Sequence, residues 1–127
     1  MALQTELGLR LPNSPGALAG IYHQLATEHV NVLAMTLEPS GQLRLVVDNP
    51  VRAVGALRAE HHQVAERDVL IVPIAHGPGS LAPVLKLLAD AGVNVEYAYG
   101  AGSAASPVAV VVLGVDDARR AATAAGT

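Results

Sequence analysis

The sequence predicts an α+β fold: two βαββαβ units side by side, residues 1–67 and 68–127, forming an antiparallel sheet with helices on one face. Three observations carry this. The stretch NSPGALAG (Asn13 to Gly20) returns 63 residues later as HGPGSLAP (His76 to Pro83). The triplet Val30-Asn31-Val32 returns at the same shift as Val93-Asn94-Val95. Around both motifs the apolar pattern changes from alternation to helical spacing and back, twice in the same order. Arg52-Ala53 meets Arg120-Ala121 only at a shift of 68, so the second copy holds about five extra residues (68 − 63). The Gly/Ala/Ser stretch from Gly100 to Ser106 is the place for them. The join, Val64 to Ala75, is mostly apolar apart from Glu66-Arg67-Asp68, which suits packed units better than beads on a flexible linker.

In the first unit Thr5 to Leu11 alternates as a half-buried strand. Leu18, Ile21, Tyr22 and Leu25 recur at helical spacing, which makes about Pro15 to Glu28 an amphipathic helix. Val30 to Glu38 and Gln42 to Asp48 are strands joined by a Pro39-Ser40-Gly41 turn. Asp48-Asn49-Pro50 starts a second helix, with Pro at its first position, and Val51, Val54 and Leu57 give its apolar face. His62 to Glu66 is read as a short fourth strand.

The second unit repeats the order. Val69 to Ala75 is a strand, and Leu81, Val84, Leu85 and Leu88 form a helix face that Gly92 ends. Pro83 cannot lie deep in that helix, because it lacks an N–H. A start with Ser80 as N-cap puts Pro83 in the first turn and leaves Gly77-Pro78-Gly79 as an open loop. Val93 to Tyr99 and Val108 to Val115 are strands, and Asp116-Asp117 opens an Ala-rich helix. The sequence then gives no fourth strand. In a split βαβ topology this exposes Val69 to Ala75 as an apolar edge, to be covered by a partner chain or an unusual closing element.

Composition excludes several classes. Formal net charge is −3, and acids and bases are scattered, so no nucleic-acid surface is expected. Without Cys there is no disulfide, thiolate metal site or Cys nucleophile. The start MALQTELGLR does not look like a signal peptide, and no apolar run approaches the roughly 20 residues of a spanning helix. These features suggest a soluble cytoplasmic protein with no membrane partner. His61 and His62 point to opposite faces of a strand, and His23 and His29 are badly spaced for a shared metal, so no metal is expected. The glycine stretches lack both the dinucleotide and the triphosphate-loop patterns, and no nucleophile–base–acid set is visible. Asp116, Asp117, Arg119 and Arg120 read as a solvated helix face. No cofactor and no catalytic residue are assigned.

The two Pro-Gly turns, the Val-Asn-Val motifs and the element order together resemble the ACT domain, a small ferredoxin-like module that regulates amino-acid metabolism by binding amino acids. The segments LPNSPGALAGIYHQLATEHVNVLAM, IAHGPGSLAPVLKLLADAGVNVEYAY and RLVVDNPVRAVGAL carry the resemblance, which spans nearly the whole chain and is strongest toward proteins made only of two ACT units. The resemblance implies a ligand site where the loop before the first helix of one unit faces another unit, and pairing through second strands into an eight-stranded sheet. Carried over residue by residue, the site comprises Asn13, Ser14, Pro15, Gly16, Ala17, Leu18 and Asn31 in the first copy. In the second it comprises His76, Gly77, Pro78, Gly79, Ser80, Leu81 and Asn94. His76 departs from the common Asn at its position, so the two sites need not be equivalent. The resemblance implies a free amino acid as ligand, a homodimer and an enzyme partner.

The residue types suit that ligand. A carboxylate is met by free N–H groups at a helix start, Gly16 and Gly79 allow close approach, and an Asn amide accepts from an ammonium. Each residue also has a simpler reading: the glycines as turn requirements, and Asn before a helix as a cap. Tyr97 and Tyr99 share a strand face and either line the ligand site or cover a thin Ala/Val core. Two functions follow: a ligand-binding regulatory module, or a ligand-free assembly module that joins chains or docks on an enzyme. A small enzyme is the third and least supported.

Overall fold

The protein is described by a computed structural model covering residues 1–75, 77–101 and 105–126. Its strands are β1 (Ala2–Arg10), β2 (Val32–Leu37), β3 (Gln42–Val47), β4 (Ala65–Ala75), β5 (Val95–Ala101) and β6 (Val108–Val115). Its helices are α1 (Ala17–Thr27), α2 (Pro50–Ala59), α3 (Ala82–Asp90) and α4 (Ala118–Ala124). The fold is α+β, with six strands in the order β2-β3-β1-β4-β6-β5. The chain divides into two compact units, one formed by Thr5–Arg67 and the other by Met1–Gln4 with Asp68–Thr127.

In the first unit β3 runs antiparallel between β1 and β2, with Leu7 opposite Leu45 and Leu9 opposite Leu43. Alternation sends these leucines to one face, where Ile21 and Leu25 of α1 and Ala53, Val54 and Leu57 of α2 complete the core. Glu6 and Arg44 belong to the opposite face. Asn49 caps α2 by accepting from the Arg52 N–H at 3.1 Å, and Pro50 follows as the first helical residue. Gly41 closes the β2–β3 hairpin with φ 91°, and a Cβ there would stand 2.1 Å from the Leu11 carbonyl oxygen. Only glycine fits that turn.

The second unit uses the same plan. Leu70 and Val72 of β4, Leu113 and Val115 of β6, Leu88 of α3 and Ala121 of α4 form its core. Asp117 caps α4 by accepting from the Arg120 N–H at 3.0 Å. Helix α3 begins at Ala82 after Leu81, one residue later than a Ser80 cap implies, and Pro83 falls in its first turn. Of the stretch assigned the extra residues, Gly100 and Ala101 extend β5, while Gly102, Ser103 and Ala104 lie outside the described residues.

Three expectations need correction. The short strand expected at His62 to Glu66 does not form as such: His62 to Val64 lie outside any strand, and Ala65 and Glu66 open the eleven-residue β4, which runs through Arg67-Asp68 to Ala75. The side chains of Glu66, Arg67 and Asp68 are exposed, so charge there does not break the strand. Val69 to Ala75 is also not an edge, since β4 lies between β1 and β6. The closing element is the chain's own start: Met1–Gln4 belong to the second unit, and Met1 packs on its core. Finally, Tyr97 and Tyr99 do not cover the helix-side core. A bulge between Val95 and Tyr97 places Tyr97 opposite Gly114, whose neighbours Leu113 and Val115 both point to the helices. The two rings stack at 6.4 Å on the face away from α3 and α4.

Candidate functional site

The loop before α1 is exposed from Pro12 to Gly16, with Ala17 and Leu18 half-buried. The Ser14 N–H donates to the Pro12 carbonyl at 2.9 Å and the Ala17 N–H to the Ser14 carbonyl at 3.3 Å. Gly16 stands at the N-cap with φ 84° and ψ −8°, and no side chain caps the helix. A Cβ at Gly16 would meet nothing within 4 Å, so backbone conformation rather than crowding selects glycine.

The second copy is built alike. Gly79 has φ 71°, also with open space where a Cβ would be. Gly77, Pro78 and Gly79 are exposed, and Ser80 and Leu81 are half-buried. The Ser80 N–H donates to the Gly77 carbonyl at 3.4 Å and the Ala82 N–H to the Gly79 carbonyl at 3.2 Å. Among the described residues no side chain caps α3. His76 lies outside the described residues.

The contrast within each unit is informative. The second helix of each carries a side-chain cap, Asn49 or Asp117, and the first helix of each carries none. A helix start leaves up to four N–H groups without intrahelical partners, and a positive end of the peptide dipoles. Among the described residues, α1 and α3 are the helices whose starts no side chain caps.

Asn31 and Asn94 are held by a device that sequence reasoning missed. The Asn31 N–H donates to Asp48 Oδ1 at 2.9 Å, and the Asp48 N–H returns to the Asn31 carbonyl at 3.0 Å. Asn94 and Asp116 repeat it at 2.9 and 3.1 Å. Each pair locks the opening of one strand to the end of its neighbour. The asparagine side chain takes part in neither bond and remains exposed. Asp116 is therefore a clamp and Asp117 a cap, rather than both being idle members of a solvated face. The signal was present: Asp48 and Asp116 stand 68 apart, the shift that relates Arg52 to Arg120. Among the described residues no hydrogen bond joins Asn31 or Asn94 to the loop before its helix.

Among the described residues no group of three or more His, Cys, Asp or Glu could hold a metal ion, and no helix is long and apolar enough to cross a membrane.

Two matched units, each with one open and one capped helix, define the class. The family description "ACT domain pair" matches residues 1–124, and the chain belongs to that family. A crystal structure of a Bacteroides thetaiotaomicron protein is similar at 30% identity with TM-score 0.88, covering 98% of this chain and 87% of that one. The ligand-free regulatory subunit of aspartate kinase from Thermus thermophilus is similar at 24% identity and TM-score 0.71, covering 97% and 89%. Aspartokinase III of E. coli, in complex with lysine and aspartate in its T-state, shares the fold at 19% identity and TM-score 0.62, over 98% of this chain and 31% of that one. No curated protein sequence matches the chain.

Proposed function

We propose that this protein is a sensor of a free amino acid and a regulatory partner of an enzyme of amino-acid metabolism, with no catalytic activity of its own. It works in the cytoplasm as a homodimer. One observation carries the reading: the helices that follow the two Pro-Gly loops are the uncapped ones. A ligand carboxylate would supply what the cap does not, taking first-turn N–H groups beside Gly16 or Gly79. The exposed amides of Asn31 and Asn94 would accept from the ammonium, and Asn13 from either its own loop or the ligand. The aspartokinase III structure, which holds lysine and aspartate, supports this class of ligand. β2 and β5 end the strand order, so pairing through second strands calls on another copy of the chain. Preferential binding to one assembly would be the means of regulation.

The test is a thermal-shift screen of the common amino acids, with calorimetry on hits. A hundredfold excess over Kd raises Tm by roughly 5–10 °C. Asn31→Ala weakens binding by about 1–3 kcal/mol. No shift with any amino acid, together with a stable oligomer, supports the second reading, a ligand-free assembly module. Leu33 and Leu37, exposed on the outer strand β2, favour that alternative.

A further inference from the structure

A groove of about 580 Å³ opens in the first unit, away from the loop before α1. Gly8 on β1 lines it together with Arg10, Gln42, His61, His62 and Gln63. None of Asn13 to Leu18 lines it. Every polar side chain on that wall can donate a hydrogen bond, and no carboxylate is among them. Arg10 spends one of its five N–H groups on the Ser40 carbonyl at 3.3 Å, and Gln42 lays its amide beside Gly8 while donating to the Leu43 carbonyl at 3.3 Å. A guanidinium lining one groove with neutral donors is the chemistry of anion recognition.

The end of α2 places two histidines on this wall. His61 follows the C-cap of α2 with φ 68°, in the left-handed region where side chains are strained. Its N–H and that of His62 close the helix onto the Arg58 and Leu57 carbonyls, a motif for which glycine is the favoured residue. The helices of the second unit use glycine after their C-caps, Gly92 with φ 73° and Gly126 with φ 76°. His29 holds the same position after the C-cap of α1 with φ 58°, so a histidine ends both helices of this unit, and of the two His61 alone lines this groove.

We infer that this groove is a second binding site, distinct from the loops before α1 and α3, for a small anion bearing a carboxylate or phosphate group. Arg10 pairs with the anion, and His61, His62 and Gln63 donate to its remaining oxygens. The inference stands apart from amino-acid sensing at the helix starts.

The test is titration of the isotope-labelled full chain with inorganic phosphate and, separately, with succinate, at fixed pH and ionic strength, followed by amide chemical shifts. Saturable shifts confined to Gly8–Arg10, Gln42 and His61–Ala65 are expected with at least one probe, and the probe that saturates names the anion class. Arg10→Gln weakens that binding roughly tenfold or more. His61→Gly weakens it as well while leaving Tm unchanged or higher, since glycine relieves the backbone; a residue with only a structural role would not separate the two readouts. Shifts that do not saturate, that spread over exposed cations such as Lys86 and Arg119, or that persist unchanged in Arg10→Gln overturn the site.

Discussion

Asp48 and Asp116 make the strongest case at the scale of single residues. Each returns two hydrogen bonds to an asparagine backbone, and the geometry agrees between units to within about a tenth of an ångström. Asp48→Ala removes a charged acceptor at an exposed site and costs about 1 kcal/mol by urea unfolding. Since the clamp also sets where the Asn31 amide stands, the same change should weaken any ligand that Asn31 holds. Asp48→Asn keeps an oxygen acceptor and should recover most of both losses. A variant that loses stability and keeps full affinity would separate the clamp from the site. Gly114 gives a second prediction. A Cβ there would stand 2.0 Å from the Tyr97 ring, so Gly114→Ala must expel the ring and break its stack with Tyr99. We expect a loss of roughly 1–3 kcal/mol, partly recovered in the double variant with Tyr97→Ala.

At the scale of elements, the four helices fall into two kinds. Asn49→Ala and Asp117→Ala each remove a cap and should cost about 1 kcal/mol in thermal unfolding, with no effect on amino-acid affinity. Among the described residues the α1 and α3 starts have no side-chain cap to lose, and under the proposed function their stability should instead respond to ligand. Elements of this kind were legible in the sequence because their causes are local. Asn49-Pro50 announces a helix start, Pro83 forces α3 to start late, and alternation marks β1. The loops before α1 and α3 were legible for the same reason, as repeated Pro-Gly turns. What was not legible depends on pairing across the sheet. One extra residue in β2, Leu33, and its counterpart in β5, Glu96, shift the register by one. That slip sends Tyr97 and Tyr99 to the other face, and alternation alone cannot reveal it. Likewise Glu66-Arg67-Asp68 reads as a break, but it lies within one strand, its side chains exposed. The aspartate clamps were hidden because an Asp beside a helix cap looks like helix-start chemistry.

At the scale of the whole molecule, the covalent chain and the compact units do not divide at the same places. β1 begins in one unit and ends in the other: Met1–Gln4 count with Asp68–Thr127, and Thr5 onward with the first unit. The first four residues thereby serve the second unit, with Met1 packed on its core. A strand edge carrying Leu70 and Val72 would be costly to leave open, both as unburied apolar surface and as a template for association. Cutting the chain at the repeat boundary should therefore fail unequally. A fragment of residues 68–127 loses its closing strand and should be unfolded or self-associated, as judged by circular dichroism and light scattering. Rejoining residues 1–10 to the end of that fragment through a flexible linker restores the missing strand in principle, and should recover a cooperative melt. Deleting only Met1–Gln4 from the full chain is the gentler version. It should lower Tm and raise the tendency to associate, while Gly8, Leu9 and Arg10 keep their register with β3. If residues 68–127 alone melt cooperatively as a monomer, the second unit does not depend on the start of the chain.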